Sequence, residues 1–242
     1  MAEPREDADV ESSSDAYARR FAGGVGQWFL AVQRDATRDL VAPLGEHLRV
    51  LDVGGGHGQL AGPLADAGHE VTVAGSADAC RHRVQALVDA GRVRWSTADL
   101  LRLPFEPRAF DVVLAFRLLA HVARWRDFVA ELCRVAARSV IVDYPSRRSA
   151  NAAASSLFAA KQRVEGDTRP FATFADADVD AAFAAGGFRV RERRRQFAVP
   201  MAAHRALGLA PVSRAVEGVA RLAGLTALAG SPVIARADRI DG

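Results

Sequence analysis

Nine consecutive residues constrain this chain more than any other feature: Val50-Leu51-Asp52-Val53-Gly54-Gly55-Gly56-His57-Gly58. A short apolar run ends in an aspartate and passes into D-x-G-x-G-x-G, after which the pattern turns helical. Glycine lets a backbone turn sharply and approach a ligand without a Cβ collision. The start of the following helix offers unpaired N–H groups, and a carboxylate two residues before the first glycine can accept hydrogen bonds from a cationic amine. A strand–loop–helix with this spacing points to a bound small molecule at the strand end. A dinucleotide fingerprint is the main rival, because Gly56-x-Gly58-x-x-Ala61 also fits G-x-G-x-x-A. No acid closes the second strand, which counts against that rival.

The rhythm around this loop sets the fold class. Leu48–Val53, Glu70–Ala74, Arg92–Ser96, Phe110–Phe116 and Ser139–Tyr144 read as short, nearly continuous apolar strands. The stretches to about Ala67, Asp78–Asp89 and Trp125–Ala136 read as the helices between them. Such alternation predicts an α/β architecture whose mostly parallel sheet is covered on both faces. Beyond Tyr144 the pattern predicts helices over Ala150–Val164 and Asp176–Ala185, a strand over Phe188–Val199, helices over Met201–Leu207 and Val212–Leu228, and a last strand at Pro232–Ala237.

Residues 1–15 carry six acids against Arg5. With almost nothing apolar to bury, residues 1–14 read as a disordered acidic tail, and they lack the basic and apolar parts of a secretion signal. Residues 15–242 read as a single domain, divided into a helical cap (15–45), a cofactor-binding core (48–144) and substrate-side helices with the last strands (145–242). The net charge is only +3 although the pI is near 9.4. The sole lysine is Lys161, and arginines stay charged throughout the accessible pH range. That balance does not predict a nucleic-acid partner. No apolar run approaches the roughly 18–20 residues needed to cross a bilayer. Two cysteines, Cys80 and Cys133, build neither a disulfide framework nor a zinc site and fit a cytoplasmic protein. The six histidines are scattered, so no metal site is expected.

Several segments in the same order resemble the class I S-adenosylmethionine-dependent methyltransferases, in particular the small-molecule branch that includes quinone-biosynthesis methyltransferases. Asp52, Gly54, Gly55, Gly56 and Gly58 match that family's first motif. Thr97-Ala98-Asp99-Leu100 with Leu103-Pro104-Phe105 resembles the segment after its third strand. Phe110–Phe116 is similar to its fourth strand, and Leu118-Leu119-Ala120-His121-Val122 to the run that follows. The resemblance implies a Rossmann-like seven-stranded sheet with an N-terminal helical cap and helical insertions after strands 5 and 6. It also implies S-adenosyl-L-methionine as cofactor and a small-molecule acceptor, apolar or lipid-like. Asp52 would meet the methionine end, Asp99 and Leu100 the adenine, and Phe116 the transferring centre.

One departure concerns the acid that holds the ribose hydroxyls at the end of the family's second strand. That position falls on Gly75, leaving Ser76 or Asp78 to substitute. A non-catalytic binding protein with an altered ribose site is therefore the alternative, and a dinucleotide-dependent oxidoreductase a more distant one. For the general base, His121 and Tyr144 are the candidates, at the edge where open α/β sheets bind ligands.

The aromatics Tyr17, Phe21, Trp28 and Phe29 suit a cap over the cleft. On a strand, Arg189, Arg191, Arg193 and Arg195 would share one face, expected to be solvated or set against acids. The insertion at Pro200–Ser231 carries an apolar stripe of Val212, Ala215, Val216, Val219, Leu222 and Ala223. It is expected to pack on the domain, with a lid or a peripheral membrane contact as the other readings.

Overall fold

The computed structural model describes residues 6–149 and 171–240. Seven strands, β1 (Arg49–Val53), β2 (Glu70–Gly75), β3 (Val93–Thr97), β4 (Phe110–Ala115), β5 (Ala136–Tyr144), β6 (Phe188–Phe197) and β7 (Ser231–Arg239), join in one sheet. Their order is β3-β2-β1-β4-β5-β7-β6. The first five run parallel, and β7 lies antiparallel between β5 and β6. The helices are α1 (Ala8–Ser12), α2 (Asp15–Arg19), α3 (Gly23–Val41), α4 (Ala61–Asp66), α5 (Gln85–Asp89), α6 (Trp125–Val135), α7 (Asp176–Ala185), α8 (Met201–Leu207), α9 (Ala210–Leu222) and α10 (Leu225–Ala229).

The central strands are apolar on both faces because both faces are covered. Leu51, Val53, Val113 and Val140 pack under Phe128, Leu132 and Phe183 of α6 and α7. Val50, Val71, Leu114 and Ile141 pack on the other side under Leu40, Val41 and Leu64 of α3 and α4. Strand register then aligns the carboxyl ends. Val53 stands opposite both Ala74 and Ala115, and Ala115 opposite Val142. Gly54, Gly75, Phe116 and Asp143 therefore emerge along one edge. Among the described residues no helix is long and apolar enough to cross a membrane.

Several elements depart from expectation. Residues 8–12 form α1 rather than a tail, and Asp9, Ser12 and Ser13 are buried. Apart from Ala8, which joins the core, their anchoring is polar, so hydrophobicity gave little hint of it. The helix expected over Asp78–Asp89 is a 3-10 turn at Asp78–Arg81 followed by α5. The intervening chain presses on the glycine loop, where a Cβ at Gly58 would lie 3.2 Å from Val84 and 3.3 Å from the Arg83 carbonyl. The helix expected over Val212–Leu228 divides into α9 and α10 at Gly224, whose φ is +75°. A bulge between Val190 and Glu192 breaks the expected alternation of the β6 arginines. The helix expected over Ala150–Val164 lies outside the described residues.

Candidate cofactor site

At the end of β1 the chain turns through Gly54, with φ +69°, into a 3-10 turn at Gly55–His57, and leaves through Gly58, with φ +76°. Both angles lie in the left-handed region that side chains resist. Close approach fixes the residues between them. A Cβ at Gly55 would lie 2.2 Å from Asp52 Oδ2, and one at Gly54 would lie 2.3 Å from Leu118 Cδ1. Any larger residue at position 55 would displace the Asp52 carboxylate. Asp52 is 3% exposed. Burial pushes its pKa up to about 7, offset in part by the Arg117 charge.

Arg117 has a positive φ of 60°, a conformation uncommon outside glycine. Its N–H donates to Asp143 Oδ1 at 2.5 Å, its guanidinium donates to Gln59 Oε1 and lies 4.9 Å from the Phe21 ring centre. Burial raises the Asp143 pKa to about 6, and the Arg117 N–H and guanidinium oppose that shift. His57 sits edge-on to Tyr17 and Phe21, with ring centres 6.2 and 5.7 Å away. Neither of its buried ring nitrogens has a hydrogen-bond partner. Burial, reinforced by Arg117 and Arg83, lowers its pKa to about 3, so the ring is neutral.

The N-terminal helix closes this groove. Asp9 Oδ2 accepts a 2.8 Å hydrogen bond from the Ser76 N–H, while Oδ1 is buried without a partner. Ser13 Oγ lies so near Gly56 that a Cβ there would meet it at 2.4 Å. What remains is a cavity of about 20 Å³, lined by Ser12, Asp52, the glycine loop, Gln59, Phe116 and Arg117. That is room for about one water, whereas small-molecule sites span roughly 300–1,000 Å³. A nucleoside-sized ligand and α1 in this position exclude each other. The groups present nevertheless fit such a ligand: the buried Asp52 carboxylate and the glycine cradle line the groove beside the unpartnered ring nitrogens of His57.

The structure spreads the expected site residues along the edge. Phe116 lines the cavity with Asp52, Gly54 and Gly55, and Gly56 lies against Ser13. Ser76 is held under Asp9. A Cβ at Gly75 would lie 2.4 Å from the Trp95 ring, so that indole fills the space an acidic side chain would need. Asp78 accepts from the Thr97 hydroxyl and is tied to β3 instead. Asp99 is half-buried and accepts from the Leu101 N–H at 3.0 Å, with Leu100 fully buried beside it. His121 sits in the turn after β4, with its ring centre 5.6 Å from that of Phe171.

Tyr144 is not brought to the cavity. Its hydroxyl donates to Asp176 at 2.8 Å and accepts from Arg193 Nε at 3.1 Å. Burial raises its pKa above the usual phenolic value. Arg193 also pairs with Asp180, and Arg195 with Asp176. These two arginines are therefore set against the acids of α7 rather than solvated. No cluster of metal-binding side chains occurs among the described residues.

Sequence reasoning missed Asp9, Ser12, Gln59 and Arg117. Arg117 was accessible by position, directly after Phe116 at the strand edge. Asp9 left no signal, because it reaches the site from 67 residues away.

Residues 51–142 match the family model described as a methyltransferase domain. A ubiquinone/menaquinone biosynthesis C-methyltransferase of Paracoccus denitrificans is 34% identical over 133 residues, covering 52% of this chain and 51% of that protein. The chain thus spans about half the length of this relative. Magnesium protoporphyrin IX methyltransferase from Synechocystis PCC 6803, solved with bound S-adenosylhomocysteine, superposes with a TM-score of 0.66 at 16% identity, covering 93% of this chain and 94% of that one. A 1,6-didemethyltoxoflavin-N1-methyltransferase of Burkholderia thailandensis superposes with a TM-score of 0.61 at 18% identity, covering 100% and 94%. At such identities the superpositions establish the fold, and the match over 51–142 places the glycine loop within it. Residues 51–142 are thus similar to a methyltransferase domain, within a sheet that has the class I methyltransferase fold.

Proposed function

We propose that the protein transfers a methyl group from S-adenosylmethionine to a small-molecule acceptor. The observation that carries this is Asp52, a buried carboxylate with no ion pair among the described residues, held against Gly54, Gly55 and Gly56, where any Cβ would collide. When bound, S-adenosylmethionine supplies an electrophilic methyl group on a sulfonium. Asp52 would hold the cationic amine, and desolvation makes its carboxylate a better partner there than it would be in water. Gly54–Gly58 would let the backbone approach the ligand, and Asp99 with Leu100 would receive the adenine. Phe116 and the neutral His57 ring would keep the reacting region dry. Methyl transfer depends chiefly on alignment, which the rigid strand ends provide. His121 remains the candidate for a proton acceptor, since Tyr144 is committed to Asp176 and Arg193.

An apolar or lipid-like acceptor is supported by the outward apolar residues of the β6–β7 insertion, Val219 and Leu222 among them. The free, buried thiols of Cys80 and Cys133 suit a cytoplasmic setting. One observation favours a second reading, a non-catalytic binding protein: the ribose acid is replaced by Gly75 under Trp95. Incubating small-molecule extracts with S-adenosylmethionine, with and without the protein, separates the two. A compound gaining the mass of one methyl group supports the transferase. Cofactor binding without any methylated product supports the second reading.

A further inference from the structure

The insertion between β6 and β7 is built inside out. On α9 the residues turned inward are Ser213, Glu217 and Ala220, at 0%, 3% and 6% exposure. Val216, Val219 and Leu222 point outward at 42%, 68% and 92%. Leu209 precedes them and Leu225 and Leu228 follow, all more than half exposed. The apolar stripe expected to pack on the domain faces away from it.

Glu217 sets this orientation. Its carboxylate accepts from the N–H groups of Ala198 and Val199 at 2.9 and 2.8 Å and pairs with buried His204 at 3.0 Å. Rolling α9 over would strand those two N–H donors and expose the Glu217 carboxylate, the partner of His204, to solvent. Burying one Leu or Val side chain is worth about 1.5–3 kcal/mol, so the fold forgoes several such contributions here. Large contiguous apolar patches of this kind mark contact surfaces.

The charges identify what is contacted. Over residues 198–230 the exposed ionisable side chains are Arg205, Arg214 and Arg221, and the only acid, Glu217, is buried. In a two-fold dimer this face would meet itself, setting three arginines against three. Aliphatic side chains among arginines suit a surface apolar below and anionic above. We propose that α8, α9 and α10 dock the protein on an anionic lipid bilayer, with Val219, Leu222 and Leu228 in the acyl boundary and the arginines among the phosphates. The test of this docking does not depend on methyl transfer.

The experiment is sedimentation of the full chain with vesicles of phosphatidylcholine alone or mixed with phosphatidylglycerol. Binding is expected on the mixed vesicles, falling about fivefold for each arginine removed and again at high salt. Leu222→Glu and Val219→Glu should each weaken it by more than about tenfold. Both side chains are exposed, so unchanged thermal unfolding would show that the variants are folded. Failure to bind mixed vesicles would overturn the proposal. So would sedimentation velocity showing a dimer that Leu222→Glu dissociates, since a second copy would then cover the face.

Discussion

Replacing Asp52 by asparagine separates what the site needs from what the fold tolerates. Asp52 is held with a pKa of about 7 against an ordinary 3.8, and desolvation is the largest cause. A carboxylate whose folded pKa lies above its unfolded value stabilises the fold fully below the unfolded pKa, and that contribution is lost as pH rises through the folded one. For Asp52 the loss falls between about pH 4 and pH 7. At 1.36 kcal/mol per pKa unit, the shift corresponds to at most about 4 kcal/mol. Asp143, raised to about 6, acts in the same direction over a narrower window. Asp52→Asn removes the larger part, so in denaturant titrations at pH 8 without ligand the variant should exceed wild type by about 2–4 kcal/mol. At pH 4 the two should agree within about 0.5 kcal/mol. Affinity for S-adenosylhomocysteine should fall about 10- to 100-fold, the worth of one charge-assisted hydrogen bond. The reasoning is refuted if the variant is no more stable than wild type at pH 8, or if wild type keeps the same stability from pH 4 to pH 8.

Three further outcomes are expected. Asp99→Ala should weaken S-adenosylhomocysteine binding about tenfold with near-ultraviolet circular dichroism unchanged; unaltered affinity would count against the adenine assignment. Tyr144→Phe should lower unfolding stability by about 1–2 kcal/mol, because Asp176 and Arg193 lose a shared partner, while turnover stays within about twofold of wild type. A large loss of turnover at unchanged stability would return Tyr144 to the site. Deleting residues 1–13 removes the helix that fills the groove, so stopped-flow association of S-adenosylhomocysteine should quicken by about tenfold or more. An unchanged association rate would show that α1 does not obstruct entry.

The glycine loop was legible because the backbone demands each of its residues. Gly54 and Gly58 hold left-handed angles, and Gly55 leaves room for Asp52. The strands were legible because a sheet covered on both faces needs nearly unbroken apolar runs, which Val112–Ala115 and Val140–Val142 supply. Other features depended on contacts that no local pattern carries. Helix α1 is anchored by Asp9 on Ser76 and Ser13 on Gly56, polar contacts made by a segment that reads as a solvated tail. At Gly75 a side chain is excluded by Trp95 on the neighbouring strand, a contact the local sequence does not carry. The orientation of α9 inverted the usual amphipathic rule, because Glu217 binds two backbone N–H groups and His204. A single-residue bulge near Arg191 undid the alternation on which the arginine face was drawn.

Asp52 and the glycine loop are expected to receive an S-adenosyl ligand once α1 has moved aside. Calorimetric titration of the full chain with S-adenosylhomocysteine tests this most directly. One saturable site is predicted, with no comparable heat from a nicotinamide dinucleotide. Absence of heat and of any thermal shift at millimolar S-adenosylhomocysteine, or a preference for the dinucleotide, would contradict it.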